Sequence, residues 1–262
     1  MKMPNKIINK AHVFLLLFAI INVLTIINLQ KRSLNQISSN TSDIEDYTKK
    51  YQIEKANLEL LEKIPAFGFD NLVANWTMFK FLQYFGDSEA RKITDYSLSS
   101  KYFSILVDRD PNFTRAYFRI APAVTLKAGH PEETIRILEK GLSQISPARY
   151  RANYLWVYKA VDELLFLGDT EGAIKSFETA AEWSSIIKDT PREKSARRTA
   201  KFLQQDPDSK TVQVGAWFSV WVGAPDTETR NLAQRKIERL GGRLEITEDG
   251  RVTAYPPQEE RG

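Results

Sequence analysis

Apolar residues recur every three to four positions along most of this chain, which is the spacing of one face of an α-helix. Short Gly-Asp, Gly-His-Pro and Asp-Pro stretches separate these periodic segments and favour turns. Strict alternation of apolar and polar residues, typical of a half-buried strand, occurs only after residue 242. The pattern therefore predicts an all-α body over residues 65–242, followed by a short β-hairpin and a disordered tail over residues 243–262.

A continuous apolar stretch precedes the periodic segments. Residues 11–29 carry no charged side chain, and a helix of this length rises about 28 Å, close to the hydrocarbon thickness of a bilayer. No small-residue cleavage site follows, which favours an uncleaved N-terminal transmembrane anchor over residues 1–32. A slight excess of basic groups before the span favours a cytoplasmic N-terminus and a periplasmic or lumenal body. We therefore expect a single-pass protein of an inner or thylakoid membrane, contacting the lipid bilayer through residues 11–29.

Residues 33–64 are predicted to form a helical stalk. Apolar residues recur there every seven positions, as in the seam of a coiled coil. They are Ile37, Ile44, Tyr51 and Leu58. Polar residues fill other seam positions, so two alternatives stay open: a homodimer through the stalk, and a helix that packs on its own body. Pro65 ends the helix, because the residue before a proline disfavours helical backbone angles.

The clearest helix hairpin of the body turns at Gly168-Asp169. Ala173, Phe177 and Ala180 follow on one face of the next helix. Small side chains there allow the preceding helix to approach closely, and phenylalanine fills the space between them. Further hairpins are predicted to turn at Gly86, Gly129 and Gly223.

This spacing resembles the tetratricopeptide repeat (TPR), a helix-turn-helix unit of about 34 residues. In the hairpin that turns at Gly129, Tyr117 and Ala121 match the family's aromatic and small positions, although the turn comes one residue late. In the next hairpin the corresponding positions fall on Val157 and Val161, so that unit is degenerate. The resemblance implies a degenerate TPR-like α-solenoid. The run IPAFGFDNLVANWTMFKFLQYFGD also resembles membrane-anchored repeat proteins of cyanobacteria, which implies a photosynthetic bacterium but no activity.

In the repeat family, the first helices of successive units line a concave groove. Counting along the units places eight aromatic, charged and polar residues on this surface. They are Trp76, Lys80, Gln83, Tyr84, Arg115, Phe118, Tyr158 and Asp162. Aromatic side chains supply contact area and charged ones select charge, a composition suited to binding a peptide or a protein surface. The alternative is that most of these aromatic residues are core, because each unit buries a face on its neighbour.

Charge narrows the range of partners. The net charge is +4, but residues 1–32 hold five basic side chains and no acid, which leaves the rest of the chain at −1. A nearly neutral body lacks the positive surface that a phosphate backbone requires, so no nucleic acid is expected. The basic stretch between Lys188 and Lys201 is interpreted as a solvated helix face rather than a site for headgroups or an acidic partner.

Few residues could support catalysis. The chain has no cysteine, and its two histidines, His12 and His130, have no partner by spacing. No known catalytic, phosphate-binding or metal-binding motif occurs. We therefore expect no enzyme activity, no cofactor and no metal site.

The sequence favours a membrane-anchored adapter or scaffold that binds another protein, such as a membrane complex subunit, during assembly. One alternative is a permanent accessory subunit of a membrane complex, including a photosynthetic one. The alternative from another class is an enzyme acting on envelope polymers, with Asp162 and His130 as its candidate residues.

Overall fold

The computed structural model describes residues 43–247 and 249–257, together with Phe18, Ile21 and Thr25. Those three residues are helical, and the rest of the predicted anchor over residues 11–29 lies outside the described residues, as does the predicted tail after residue 257. Of the helices that are described, none combines the length and the apolar character needed to cross a bilayer. The chain divides into two compact units, residues 1–49 and 50–262.

The described body is mostly helical and has one two-stranded antiparallel sheet, which confirms the predicted fold class at this level. The helices are α1 (Asp43–Lys63), α2 (Asp70–Gly86), α3 (Ser88–Thr94), α4 (Ser99–Arg109), α5 (Thr114–Tyr117), α6 (Pro131–Leu142), α7 (Ala152–Asp162), α8 (Thr170–Ile186), α9 (Thr190–Gln205), α10 (Lys210–Gly223) and α11 (Thr227–Arg239). Two π-helical segments are π1 (Ala121–Lys127) and π2 (Glu163–Leu167), and the strands are β1 (Arg243–Ile246) and β2 (Val252–Tyr255).

The glycine turns end one helix and start the next. Gly168 has a φ of 66°, a left-handed conformation that glycine adopts without a Cβ penalty. The carboxylate of Asp169 then accepts a hydrogen bond from the backbone N–H of Gly172 at 2.8 Å and caps α8. Aspartates cap α3, α9 and α11 in the same way; they are Asp87, Asp189 and Asp226. The Gly-Asp pairs of the sequence thus encode a helix stop followed at once by a helix start.

The main core joins helices from α1 to α7 through interlocking aromatic rings. Phe81 of α2 lies 4.5 Å from Phe103 of α4, centroid to centroid. Tyr117 is fully buried, and its ring fills the space left by Gly141 of α6, where a Cβ would lie 2.6 Å from the ring carbon Cζ. The two arms of the hairpin that turns at Gly129 are therefore fitted to each other by one large and one absent side chain.

The second half of α1 belongs to this core. Leu58 is buried, and Tyr51 and Leu61 pack against the same cluster. The guanidinium of Arg109 donates hydrogen bonds to the backbone oxygens of Leu61 at 2.9 Å and of Ile64 at 2.6 Å, which satisfies carbonyls at the C-terminus of α1. Tyr51, Leu58 and Leu61 thus follow the second alternative for the stalk, a helix that packs on its own body.

The C-terminal hairpin forms as the alternating pattern predicts. Arg243 of β1 pairs with Tyr255 of β2, and Ile246 pairs with Val252. Leu244 and Ala254 face the cluster that Trp217 and Ile237 build between α10 and α11; both belong to the residues that pack against it. The sheet therefore covers the last helix pair.

Candidate binding surfaces

The four predicted groove residues of α2 have different surroundings. Trp76 and Gln83 are exposed to solvent. The Lys80 ammonium forms a salt bridge of 3.5 Å with Glu54 of α1. Tyr84 is buried in the core, and burial raises the pKa of its hydroxyl. Trp76 and Gln83 thus lie on open surface, whereas Tyr84 follows the core alternative.

Of the remaining four predicted groove residues, Phe118, Tyr158 and Asp162 lie near one another. Phe118 contacts Tyr158 edge to face, with their centroids 5.2 Å apart. Tyr158 and Asp162 line one cleft, which no residue of α2 lines. Arg115 is exposed and lies over the ring of Tyr150 at 5.5 Å, outside that cleft. The eight predicted groove residues are therefore distributed over the surface of α2, the core, the cleft and the surface beside Tyr150.

Helix α2 presents an apolar face to solvent. Leu72, Trp76 and Phe79 recur at helical spacing and are 66%, 55% and 51% exposed. The rings of Trp76 and Phe79 lie 5.8 Å apart. The opposite face already packs in the core through Ala74 and Phe81. A helix that is apolar on both faces normally has neighbours on both, which makes these three residues, here called the α2 face, a candidate contact surface.

A cleft of about 260 Å³ lies between π1, α7, π2, α9 and α10. Its walls are mainly aliphatic and aromatic, among them Leu126, Val157, Val161, Phe166, Phe218 and Val220. A few polar side chains interrupt these walls; they are Arg151, Tyr154, Tyr158, Asp162, Arg192 and Ser219. An apolar cavity with a few convergent polar groups is the usual composition of a small-molecule site.

Asp162 lines the cleft at the end of α7 and is buried, with only 2% of its surface exposed. Its Oδ1 atom accepts no hydrogen bond from any described residue. Burial raises the pKa of this carboxyl group to about 7, the Thr125 hydroxyl opposes the shift, and the nearby charge of Glu163 adds to it. Near neutral pH the group is thus present in both protonation states and can either donate or accept a hydrogen bond.

Two arginines meet on one ring of the cleft. The guanidinium carbons of Arg151 and Arg192 lie 4.4 Å and 3.9 Å from the ring centroid of Tyr154. Arg192 donates a hydrogen bond to the Tyr154 hydroxyl at 2.6 Å, but its buried Nε has no acceptor among the described residues. Arg151 has a φ of 54°, which costs a residue with a Cβ about 1–2 kcal/mol. Within the described part of the chain, neither guanidinium is paired with a carboxylate.

A second buried cluster lies between the helices and away from the cleft. The Lys159 ammonium of α7 pairs with Glu163 of π2 and lies 3.2 Å from Glu139 of α6. The Ser176 hydroxyl of α8 donates to Glu163 at 2.6 Å. Because Lys159 and Glu163 are both buried and paired, this cluster ties four helical segments together and has a structural role.

The sequence pattern predicts neither the arginines of the cleft nor the buried ion pair. Arg192 belongs to the stretch interpreted as a solvated face, and nothing in its spacing separates it from its exposed neighbours. The late turn at Gly129 did signal an extra residue in the preceding helix, where π1 occurs.

In the described part of the chain, no three acidic or histidine side chains converge on a metal site. Comparisons with protein-family models, curated proteins and solved structures found no significant match.

Proposed function

We propose that this protein is a membrane-anchored, TPR-like adapter that binds a subunit of a membrane protein complex and aids its assembly or organisation. The α2 face carries this proposal. Its three central side chains leave roughly 300 Å² of apolar surface in water, the size of a functional patch on a monomer. Burial of this area on a partner corresponds to about 7 kcal/mol before the costs of association.

The π-helical segments support the repeat part of the proposal. A π-helical turn holds one residue more than an α-helical turn. Allowing for that residue in π2 moves the family's aromatic and small positions from Val157 and Val161 to Trp156 and Ala160, which have the expected residue types. Ala160 is fully buried, and Trp156 packs edge to face on Trp183 of α8 at 5.6 Å. One inserted residue in π2 therefore accounts for the mismatch between this unit and the family pattern.

The proposed occupant of the α2 face is an apolar helix of the partner subunit. Leu72, Trp76 and Phe79 follow the spacing with which one helix packs along another. The predicted span over residues 11–29 would hold the body at the bilayer, where such helices are concentrated, and so raise their effective concentration.

Site-specific crosslinking in native membranes tests this function. A photoreactive phenylalanine analogue at position 76 of the full chain is expected to capture one membrane protein. Replacing Leu72 and Phe79 by serine should reduce the crosslinked product at least tenfold, since more than 1.4 kcal/mol of apolar burial is lost. The matched control is Ile186→Ser, which changes an apolar side chain of similar exposure on α8.

An undiminished crosslink in the Leu72→Ser, Phe79→Ser variant would contradict the proposal, provided that circular dichroism shows intact helices. A second experiment extracts the complex without crosslinking, in detergent at rising salt. It distinguishes a permanent accessory subunit from an assembly factor. A permanent accessory subunit stays bound under these conditions, whereas an assembly factor is released.

A further inference from the structure

We infer that the cleft between π1, α7 and α10 binds a small amphipathic anion: a carboxylate or phosphate at one end, an apolar body, and a hydroxyl or amine at the other end. This site is separate from the α2 face, and its occupancy does not depend on the proposed adapter function.

The Tyr154 end of the cleft provides the anion site. Arg151 and Arg192 both lie over the ring of Tyr154 and line the cleft. Neither has a carboxylate partner among the described residues, so a carboxylate or phosphate of the ligand would supply the missing negative charge. The buried Nε of Arg192 also has no acceptor there, so this end of the cleft holds more donors than acceptors.

The Asp162 end of the cleft provides the second polar contact. The Oδ1 atom of Asp162 is a buried acceptor without a donor, and leaving such a group unsatisfied is costly. A hydroxyl or amine of the ligand would donate to it. The end at Arg151 and Arg192 lacks hydrogen-bond acceptors, and the end at Asp162 lacks a donor. The ligand that fits both ends therefore has two different polar termini.

The walls set the body and length of the ligand. Val157, Val161, Phe166 and Phe218 present apolar surface between the two polar ends. Tyr154 and Asp162 are eight residues apart on one helix, or about 12 Å along its axis. An extended chain advances about 1.2 Å per bond, so roughly eight carbon atoms join the two ends. The cavity volume of about 260 Å³ holds a molecule smaller than a typical drug.

A matched set of probes tests the inference on the full chain in lipid nanodiscs by isothermal titration calorimetry, with empty nanodiscs subtracted. The probe with both ends is 8-hydroxyoctanoate; octanoate lacks the hydroxyl group and 1,8-octanediol lacks the carboxylate. We expect 8-hydroxyoctanoate to bind at least tenfold more tightly than either analogue. Inorganic phosphate at the same concentration should not displace it, because the walls contribute to binding.

Two variants assign the ends. Arg192→Gln should weaken 8-hydroxyoctanoate binding at least tenfold and leave 1,8-octanediol unchanged. Asp162→Leu should abolish the preference for 8-hydroxyoctanoate over octanoate. Lys194→Gln is the control, because it removes the same charge from an exposed position of the same helix.

Several outcomes would overturn the inference. They are the absence of saturable binding by all three organic probes, equal affinities for the three in the unmodified protein, displacement by inorganic phosphate alone, and equal effects of Arg192→Gln and Lys194→Gln. The comparison among probes uses the unmodified protein, so it does not depend on whether a variant folds. If the chain with the photoreactive residue at position 76 and no other change captures no membrane protein while probe binding is intact, only the adapter function is refuted.

Discussion

Replacing Asp162 by asparagine removes a buried carboxyl group and leaves its shape in place. The fold raises the pKa of this group to about 7, from 3.8 for an unperturbed aspartate, mainly through burial. Between these two pH values the folded protein holds a proton that the unfolded chain releases. The stability that this proton contributes is complete below about pH 4 and is lost as the pH rises through 7.

The size of the effect follows from the same shift. A difference of about three pKa units at 1.36 kcal/mol per unit gives at most about 4 kcal/mol between pH 4 and pH 8. Because asparagine does not titrate, Asp162→Asn should lack this loss. The variant is thus expected to gain stability relative to the unmodified protein as the pH rises from 4 to 8.

Urea unfolding followed by tryptophan fluorescence at pH 4.5, 6, 7 and 8.5 measures this difference. Asp226→Asn is a control of opposite sign. Burial raises the pKa of Asp226. Hydrogen bonds from the Thr229 amide and Lys127 lower this pKa by a larger amount, so the net shift is downward. Its contribution to stability is present above the unfolded pKa and lost in acid. If the free energies of unfolding of Asp162→Asn and the unmodified protein change in parallel with pH, the account of Asp162 is refuted.

Two further predictions concern packing and the buried ion pair, both measured by urea unfolding at pH 7. Gly141→Ala should destabilise the fold by about 1–3 kcal/mol, because its methyl group would overlap the buried ring of Tyr117; Gly215→Ala, in an exposed helix position with no atom nearby, should instead stabilise it by about 1 kcal/mol. Lys159→Met should cost about 3–5 kcal/mol, because Glu163 would stay charged and buried without its partner. The double variant with Glu163→Gln should recover much of that loss, and equal stabilities of the single and double variants would contradict the pairing.

The helix boundaries of the body could be predicted because their signals are local. The hairpin predicted to turn at Gly168-Asp169 does so, and the pair expected to turn at Gly223 does so as well. A glycine that takes a left-handed conformation and an aspartate that caps the next helix act within four residues of each other. The aromatic position predicted at Tyr117 is likewise a true contact, since its ring packs on Gly141.

The candidate site could be predicted only in part because its contacts are long-range. Tyr158 and Asp162 follow from repeat counting, but Arg192 reaches the cleft from another hairpin, 38 residues beyond the tyrosine to which it donates a hydrogen bond. No periodic pattern encodes such a pairing. Tyr84 shows the opposite error, since an aromatic residue at a groove position can turn its ring into the core instead.

The π-helical segments connect the irregular repeat to the cleft. Each residue of a helix turns the chain by about 100°, so one inserted residue rotates the side chains before it by that angle relative to those after it. Val161 and Asp162 of α7 line the cleft just before π2, Phe166 of π2 lines it as well, and Leu126 is the contribution of π1. Each insertion also reaches the core, since Val124 of π1 and Leu164 of π2 are buried. Both π-helical segments therefore place side chains in the cleft and in the core, so a change of register in either segment alters both at once.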